Sequence, residues 1–177
     1  LLFGPDAEAR RAEYFAEPED QDQLLALLQR CREEEVPVRV LGHGSNVLIR
    51  DEGVHGMVIS LTAPAFGTIE VQGSTVIAGG GAILGRVITT AVHQGLAGLE
   101  TLTGIPGTLG GALHGNAGTH GGDIGQWTHQ ATVVNDAGEV VEHSRDDLVF
   151  EYRQSSLDEP VILEARFQLE EDDPQLL

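Results

Sequence analysis

The chain has 177 residues with 10 basic and 28 acidic side chains, a formal charge of −18, and every base is arginine. The missing lysine excludes a P-loop and Schiff-base chemistry, and the charge argues against nucleic acid or an anionic membrane as the main partner. One cysteine, Cys31, excludes an internal disulfide and a cysteine-based metal cluster, and suits a reducing compartment. No apolar run is long enough to span a bilayer.

The charge is uneven. Residues 36–135 hold five acids and three bases but 21 of the 23 glycines, so the centre reads as exposed, unusually shaped backbone between acidic ends. Abundant acid without lysine also fits a salt-adapted source.

In chain order, Asp20 to Glu35 predicts an amphipathic helix, with Leu24, Leu27, Leu28 and Cys31 at helical spacing and Asp20 or Asp22 as cap. Pro37 forces an extended entry into a strand at Val38, Val40 and Leu41. Val47–Ile49 and Met57–Ile59 predict two more buried strands, separated by a turn at Asp51-Glu52-Gly53. Thr62 to Gly67, with Pro64, is the expected seam between a small lobe (1–61) and a larger one (62–177). Thr68–Gln72 and Thr75–Ala78 flank Gly73-Ser74 as a hairpin. Gly79-Gly80-Gly81 leads to a helix with a stripe of Ile83, Val87, Ile88, Ala91 and Val92, closed by Gly95. Ala131–Asn135 and Glu139–Glu142 form a second hairpin, and Leu148–Tyr152 and Val161–Leu169 are the last strands. The expected class is α+β: a small β-α-β lobe, then a larger, mainly antiparallel one.

Three segments carry chemistry. Val40-Leu41-Gly42-His43-Gly44-Ser45-Asn46 delivers a strand into a glycine turn followed by small donors, which suits a phosphate held by backbone amides or simply a tight turn. The dinucleotide fingerprint is not met, because Val47 occupies its third glycine position. Gly104 to Gly118 has six glycines in fifteen residues. Gly110-Gly111-Ala112 there removes side-chain bulk, as a flat ligand against backbone requires, and Asn116 suits a turn and a polar ring edge; a flexible loop is the alternative. Arg153, in Tyr152-Arg153-Gln154-Ser155, is either a surface ion-pair partner or a fixed guanidinium for a carboxylate. The seven histidines show no tight ligand spacing, so no metal site is expected, and Ser45 lacks the hydrolase elbow around it. Cys31 reads as core, Trp127 and His129 as packing or surface residues.

Taken together, Val36 to Asp51, Gly104 to Ala112 with Asn116-Ala117-Gly118, and Tyr152 to Ser155 resemble the UDP-N-acetylenolpyruvoylglucosamine reductase family, from about residue 15 to 168. The opening Phe3-Gly4-Pro5 matches poorly. The resemblance implies a two-lobed FAD domain of the vanillyl-alcohol-oxidase (PCMH) type, with non-covalent FAD between the lobes, NADPH as reductant and a UDP-sugar enolpyruvyl substrate in cytoplasmic peptidoglycan precursor synthesis. By that analogy Gly42, His43, Gly44, Ser45 and Asn46 cradle the FAD pyrophosphate. Gly104, Ile105, Pro106, Gly107, Thr108, Gly110, Gly111, Asn116, Ala117 and Gly118 line the flavin and its phosphoribityl chain, and Arg153 is the arginine that stabilises the enolate-like intermediate. The family's serine proton donor and glutamate lie in a further substrate domain that has no match here, so the expectation is a flavin-binding part with little or no turnover of its own. Another FAD-linked oxidoreductase of the superfamily, or a non-catalytic flavin-binding or interaction module, are the alternatives. In the former, His43 or His114 raises the question of covalent attachment.

Overall fold

The computed structural model describes residues 12–174; Phe3-Gly4-Pro5 lies outside them. Strand β1 (Ala12–Ala16) is followed by helix α1 (Gln21–Glu33). The Asp20 side chain accepts from the Gln23 backbone N–H at 2.8 Å, satisfying one of the donors a helix start leaves open. Leu24, Leu28 and Cys31 are buried along one face, as their spacing predicts. Burial pushes the Cys31 thiol pKa up, with the Glu34 carboxylate adding to it.

Strands β2 (Val38–Leu41) and β3 (Val54–Ser60) complete a three-stranded sheet of order β1-β3-β2, both neighbours parallel to β3. The expected strand at Val47–Ile49 is not formed: Val47 is 51 % and Leu48 89 % exposed, in irregular backbone. Two parallel neighbours need a crossover between them, and residues 42–53 are that connection. Its apolar triplet therefore has no ladder to join.

The second lobe is built on a five-stranded antiparallel sheet. Strands β4 (Ile69–Gln72) and β5 (Thr75–Gly79) form the expected hairpin, with Gly73 at φ +61. Helix α2 (Leu84–His93) follows, and Gly95 at φ +69 takes the left-handed position beyond its end. The buried stripe of α2 starts at Leu84 rather than Ile83, which sits at the cap position and is 43 % exposed. Beyond the two-residue strand β6 (Leu96–Ala97), the glycine-rich segment contains helix α3 (Leu109–His114), which replaces the loop alternative over those six residues. The Thr108 side chain caps α3, accepting from the Gly111 N–H. Short strands β7 (Gly118–Thr119) and β8 (Gly122–Asp123) pair next.

Strands β9 (Thr128–Val134) and β10 (Val140–Ser144) make the second expected hairpin. The expected strand at Leu148–Tyr152 shrinks to β11 (Phe150–Glu151), which turns through Tyr152-Arg153 into β12 (Gln154–Ser155). Strand β13 (Val161–Gln168) runs through the centre of the sheet, order β10-β9-β13-β5-β4, and β14 (Glu170–Glu171) pairs with β6.

Helices α2 and α3 pack on this sheet around Leu84, Val87, Leu109, Leu113 and Phe167, with Trp127 against the same core and His129 exposed. A second core joins Leu24, Leu28, Ile59 and Phe66 to Val134, Val161 and Leu163 of the large sheet. The two sheets are thus tied by a shared apolar seam, and the end of β2 is held over the start of α3.

Candidate functional site: a glycine-walled cleft

Two cavities of about 420 Å3 each lie side by side where β2 ends. They share Val40, Gly42, His43, Thr108, Gly111 and His114, which form a waist between them. The first extends along β2 to Gly80, Gly81 and the Glu159-Pro160 approach to β13. The second is walled by Gly44 to Val47, Ile105 to Gly107, Ala112, Ala117 and Arg153.

Side chains are missing along the cleft where backbones meet. A Cβ on Gly42 would overlap the Thr108 hydroxyl oxygen. One on Gly80 would overlap the Ile162 carbonyl oxygen, and one on Gly81 the Leu61 carbonyl oxygen. Gly44 has φ +66, which turns the chain at the strand's end where a side chain would be strained. Ser45 Oγ donates to the Pro106 carbonyl at 3.1 Å and thereby ties the first glycine segment to the second.

The crossover loop concentrates open backbone donors in the cleft. None of the backbone N–H groups from Gly42 to Asn46 donates to a group among the described residues. The start of α3 differs: Leu109 N–H donates to Ala82 O and Gly110 N–H to Gly80 O, both at 2.8 Å, and Gly111 N–H faces Thr108 Oγ1. The first turn of α3 is therefore occupied by protein, and the crossover loop, with the N–H groups of Gly107 and Thr108, is open to an anion. That is the observation against which a dinucleotide cofactor is tested, and the loop fits: uncommitted amides beside glycine walls let a diphosphate approach the backbone without lysine.

Of the residues singled out in the sequence, Gly42, His43, Gly44, Ser45, Asn46, Ile105, Pro106, Gly107, Thr108, Gly111, Ala117 and Arg153 line the cleft, with Gly110 on its first cavity. Gly104, Asn116 and Gly118 line neither cavity. Asn116 is buried at φ +39, with Nδ2 donating to Glu151 O at 2.8 Å and Oδ1 accepting from Gly125 N–H at 3.1 Å, so both polar ends hold the protein together. Arg153 stands at φ +60 in the β11–β12 turn, and its guanidinium has no hydrogen bond or ion pair among the described residues. A non-glycine residue there costs about 1–3 kcal/mol, so the turn holds the side chain at a strained position on the cavity wall.

Sequence reasoning missed Gly80, Gly81 and Glu159. The run Gly79-Gly80-Gly81 signalled the first two, since three glycines after a strand imply close backbone approach. Glu159 had no such signal: Oε1 lies 2.6 Å from His143 Nε2, while Oε2 is buried without a hydrogen-bond partner. Among the described residues no group of three or more His, Cys, Asp or Glu side chains is placed to hold a metal ion, and no helix is long and apolar enough to cross a membrane.

An α+β chain with a glycine-walled cleft and a loop of uncommitted amides defines a nucleotide-cofactor-binding domain. Residues 12–144 match the FAD binding domain family, and the chain belongs to it; FAD is the cofactor that membership assigns to the chain. The chain is 41 % identical over 166 residues to a UDP-N-acetylenolpyruvoylglucosamine reductase of Rhodopirellula baltica, covering 94 % of this chain and 54 % of that protein. It is 47 % identical over 148 residues to the same-named enzyme of Paramagnetospirillum magneticum, covering 84 % and 48 %. The chain thus spans about half the length of these relatives. Among solved structures, the Thermus caldophilus enzyme of that name superposes with a TM-score of 0.79 at 35 % identity, covering 92 % of this chain and 57 % of the other. The 6-hydroxy-D-nicotine oxidase of Arthrobacter nicotinovorans, at TM-score 0.71 and 24 % identity over 92 % and 37 % of the two chains, shares the fold.

Proposed function

We propose that the chain is the flavin-binding part of an enzyme that reduces UDP-N-acetylglucosamine enolpyruvate to UDP-N-acetylmuramate with NADPH, in cytoplasmic peptidoglycan precursor synthesis. The observation that carries this reading is the loop of uncommitted amides from Gly42 to Asn46 beside a cleft walled by the Ile105–Ala112 segment. The relatives named above add the substrate class. When bound, FAD supplies a two-electron relay between NADPH and the enolpyruvyl double bond.

The chain's own residues do the rest of what is proposed here. Gly42 to Asn46 hold the diphosphate through backbone N–H groups, leaving affinity less dependent on salt than lysines would. The small lobe, residues 1–61, and the large lobe, 62–177, are proposed to close on the cofactor from either side. Gly107, Gly111 and Ala117 leave room for a flat ring against backbone. Arg153 faces the substrate carboxylate, where a fixed donor to developing negative charge is worth roughly 10²–10³ in rate. Its lack of a partner among the described residues fits that role, because an arginine already paired in so acidic a chain would have little left to give.

The test titrates FAD-loaded protein with UDP-N-acetylglucosamine enolpyruvate and reads the change in the flavin absorption band. A saturable response that Arg153→Ala weakens at least tenfold supports the assignment. A response of equal affinity in the variant contradicts the role of Arg153, and no response from the folded, FAD-loaded protein contradicts substrate binding by this part of the enzyme.

A further inference from the structure

We infer, on the reading of the cleft as an FAD site, that His114 is a diphosphate contact whose Nε2 donates to a phosphate oxygen, so that cofactor binding takes up a proton. His114 is the last residue of α3 and one of six residues common to both cavities. It therefore stands at the waist, with Gly42 and His43 of the crossover loop, where a dinucleotide spanning both cavities must pass its diphosphate.

Its tautomer follows from its partner. Nδ1 lies 3.0 Å from the Leu157 carbonyl oxygen, and a carbonyl has only lone pairs to offer, so Nδ1 carries the hydrogen. In the neutral ring Nε2 is then an acceptor, and it has no partner among the described residues. A phosphate oxygen is an acceptor as well, so the two repel until Nε2 is protonated. Once it is, the ring becomes a cationic donor fixed at one end by Leu157, and a charge-assisted bond replaces a repulsion.

The charged groups around the waist are few. Arg39 of β2 lines the first cavity and donates to the His55 carbonyl at 2.9 Å; His43 is the other imidazole at the waist. Arg153 lines the second cavity. Glu159, on the first, is held by His143, and Asp158 is exposed beside Leu157. With no lysine in the chain, the two imidazoles are the titratable donors that the waist itself offers a diphosphate. The phosphates of FAD stay ionised from pH 5 to 9, so a proton taken up on binding belongs to the protein.

The experiment measures FAD affinity calorimetrically at pH 6.0 and 8.5, in two buffers of different ionisation enthalpy, for the parent protein and His114→Asn. Asparagine keeps a donor for Leu157 O through Nδ2 but has no titratable nitrogen, and circular dichroism checks that the variant is folded. The parent is expected to bind about tenfold tighter at pH 6.0, the worth of one charge-assisted bond, with net proton uptake between the two pH values. The variant is expected to show neither. As a second readout, the His114 ring nitrogens of the parent shift toward the protonated form in 15N spectra when FAD is added near neutral pH. Proton uptake retained by His114→Asn, or a parent affinity that is flat with pH, overturns the inference while leaving the FAD site intact. A folded parent that binds no FAD at either pH removes the FAD reading, and the inference with it.

Discussion

Gly80→Ala is the sharpest test of the packing that shapes the cleft. The added methyl would overlap the Ile162 carbonyl oxygen, a backbone atom that cannot rotate away. Gly80 is fixed on both sides: its N–H donates to Leu163 O at 2.7 Å, and its carbonyl accepts from Gly110 N–H at 2.8 Å. Relief therefore requires β5 and β13 to part or one of those bonds to stretch. Overpacking of this kind costs about 1–3 kcal/mol, and a weakened backbone bond adds about 1. The expected loss is about 2–4 kcal/mol, which for a chain of this size lowers Tm by roughly 4–16 °C at about 2–4 °C per kcal/mol. Gly85→Ala is the matched control. Its Cβ meets nothing within 4 Å, on an exposed position of α2, so the same change is expected to stabilise by about 0.5–1 kcal/mol through the unfolded state. Thermal unfolding followed by circular dichroism reads both. The reasoning is refuted if Gly80→Ala is as stable as the parent, or if the two variants move Tm in the same direction by similar amounts.

Three more outcomes are expected. Asn116→Ala leaves the buried Gly125 N–H without its partner and removes one donor from the Glu151 carbonyl, which keeps its pairing with Gln154, so urea unfolding should show a loss of about 1–3 kcal/mol. The Cys31 thiol, buried and raised in pKa, should react with a thiol reagent orders of magnitude more slowly in the native protein than in denaturant; equal rates would show that α1 opens readily. The hydrogen bonds from Ser144 hold the Asp147 carboxyl below its ordinary range, the hydroxyl first and the backbone N–H second. A carboxyl with a lowered folded pKa contributes stability above its unfolded value and loses that contribution as pH falls through the folded one. Ser144→Ala should therefore move the Asp147 titration up, toward the ordinary aspartate range, in a carboxyl NMR titration, and an unchanged midpoint would remove the cap from the account.

What the chain revealed before its structure was known depended on whether a local signal had a local cause. Asp20 and the Leu24-Leu28-Cys31 spacing specify α1 through bonds and burial within one helix, and Gly73-Ser74 and Asp136-Ala137-Gly138 mark hairpins whose turns form within a few residues. Val47–Ile49 misled because three apolar residues say nothing about whether a neighbouring strand is free to pair. Helix α3 was hidden by Gly110 and Gly111, poor helix formers that are tolerated because Gly110 packs on the Gly80 carbonyl, a contact thirty residues away in sequence. In the cleft, the Gly42–Asn46 turn and the Ile105–Ala112 segment were readable from glycine and small donors alone. Whether Asn116 faced a ligand or the protein was decided by Glu151 and Gly125, which no spacing announces. Glu159 reaches the first cavity because β13 starts there, and its position follows from the sheet order, not from a motif.

The most direct test of the account is a titration of the purified protein with FAD, read by quenching of flavin fluorescence, alongside Gly111→Trp. Gly111 lies on both cavities and its Cβ would make only an ordinary contact, 3.5 Å from Thr108 Oγ1, so the indole fills the waist without breaking the wall. The account predicts saturable binding of one FAD by the parent and a loss of at least tenfold in affinity for the variant, with unchanged circular dichroism. Equal affinity in both proteins, or no binding by a folded parent, would contradict it.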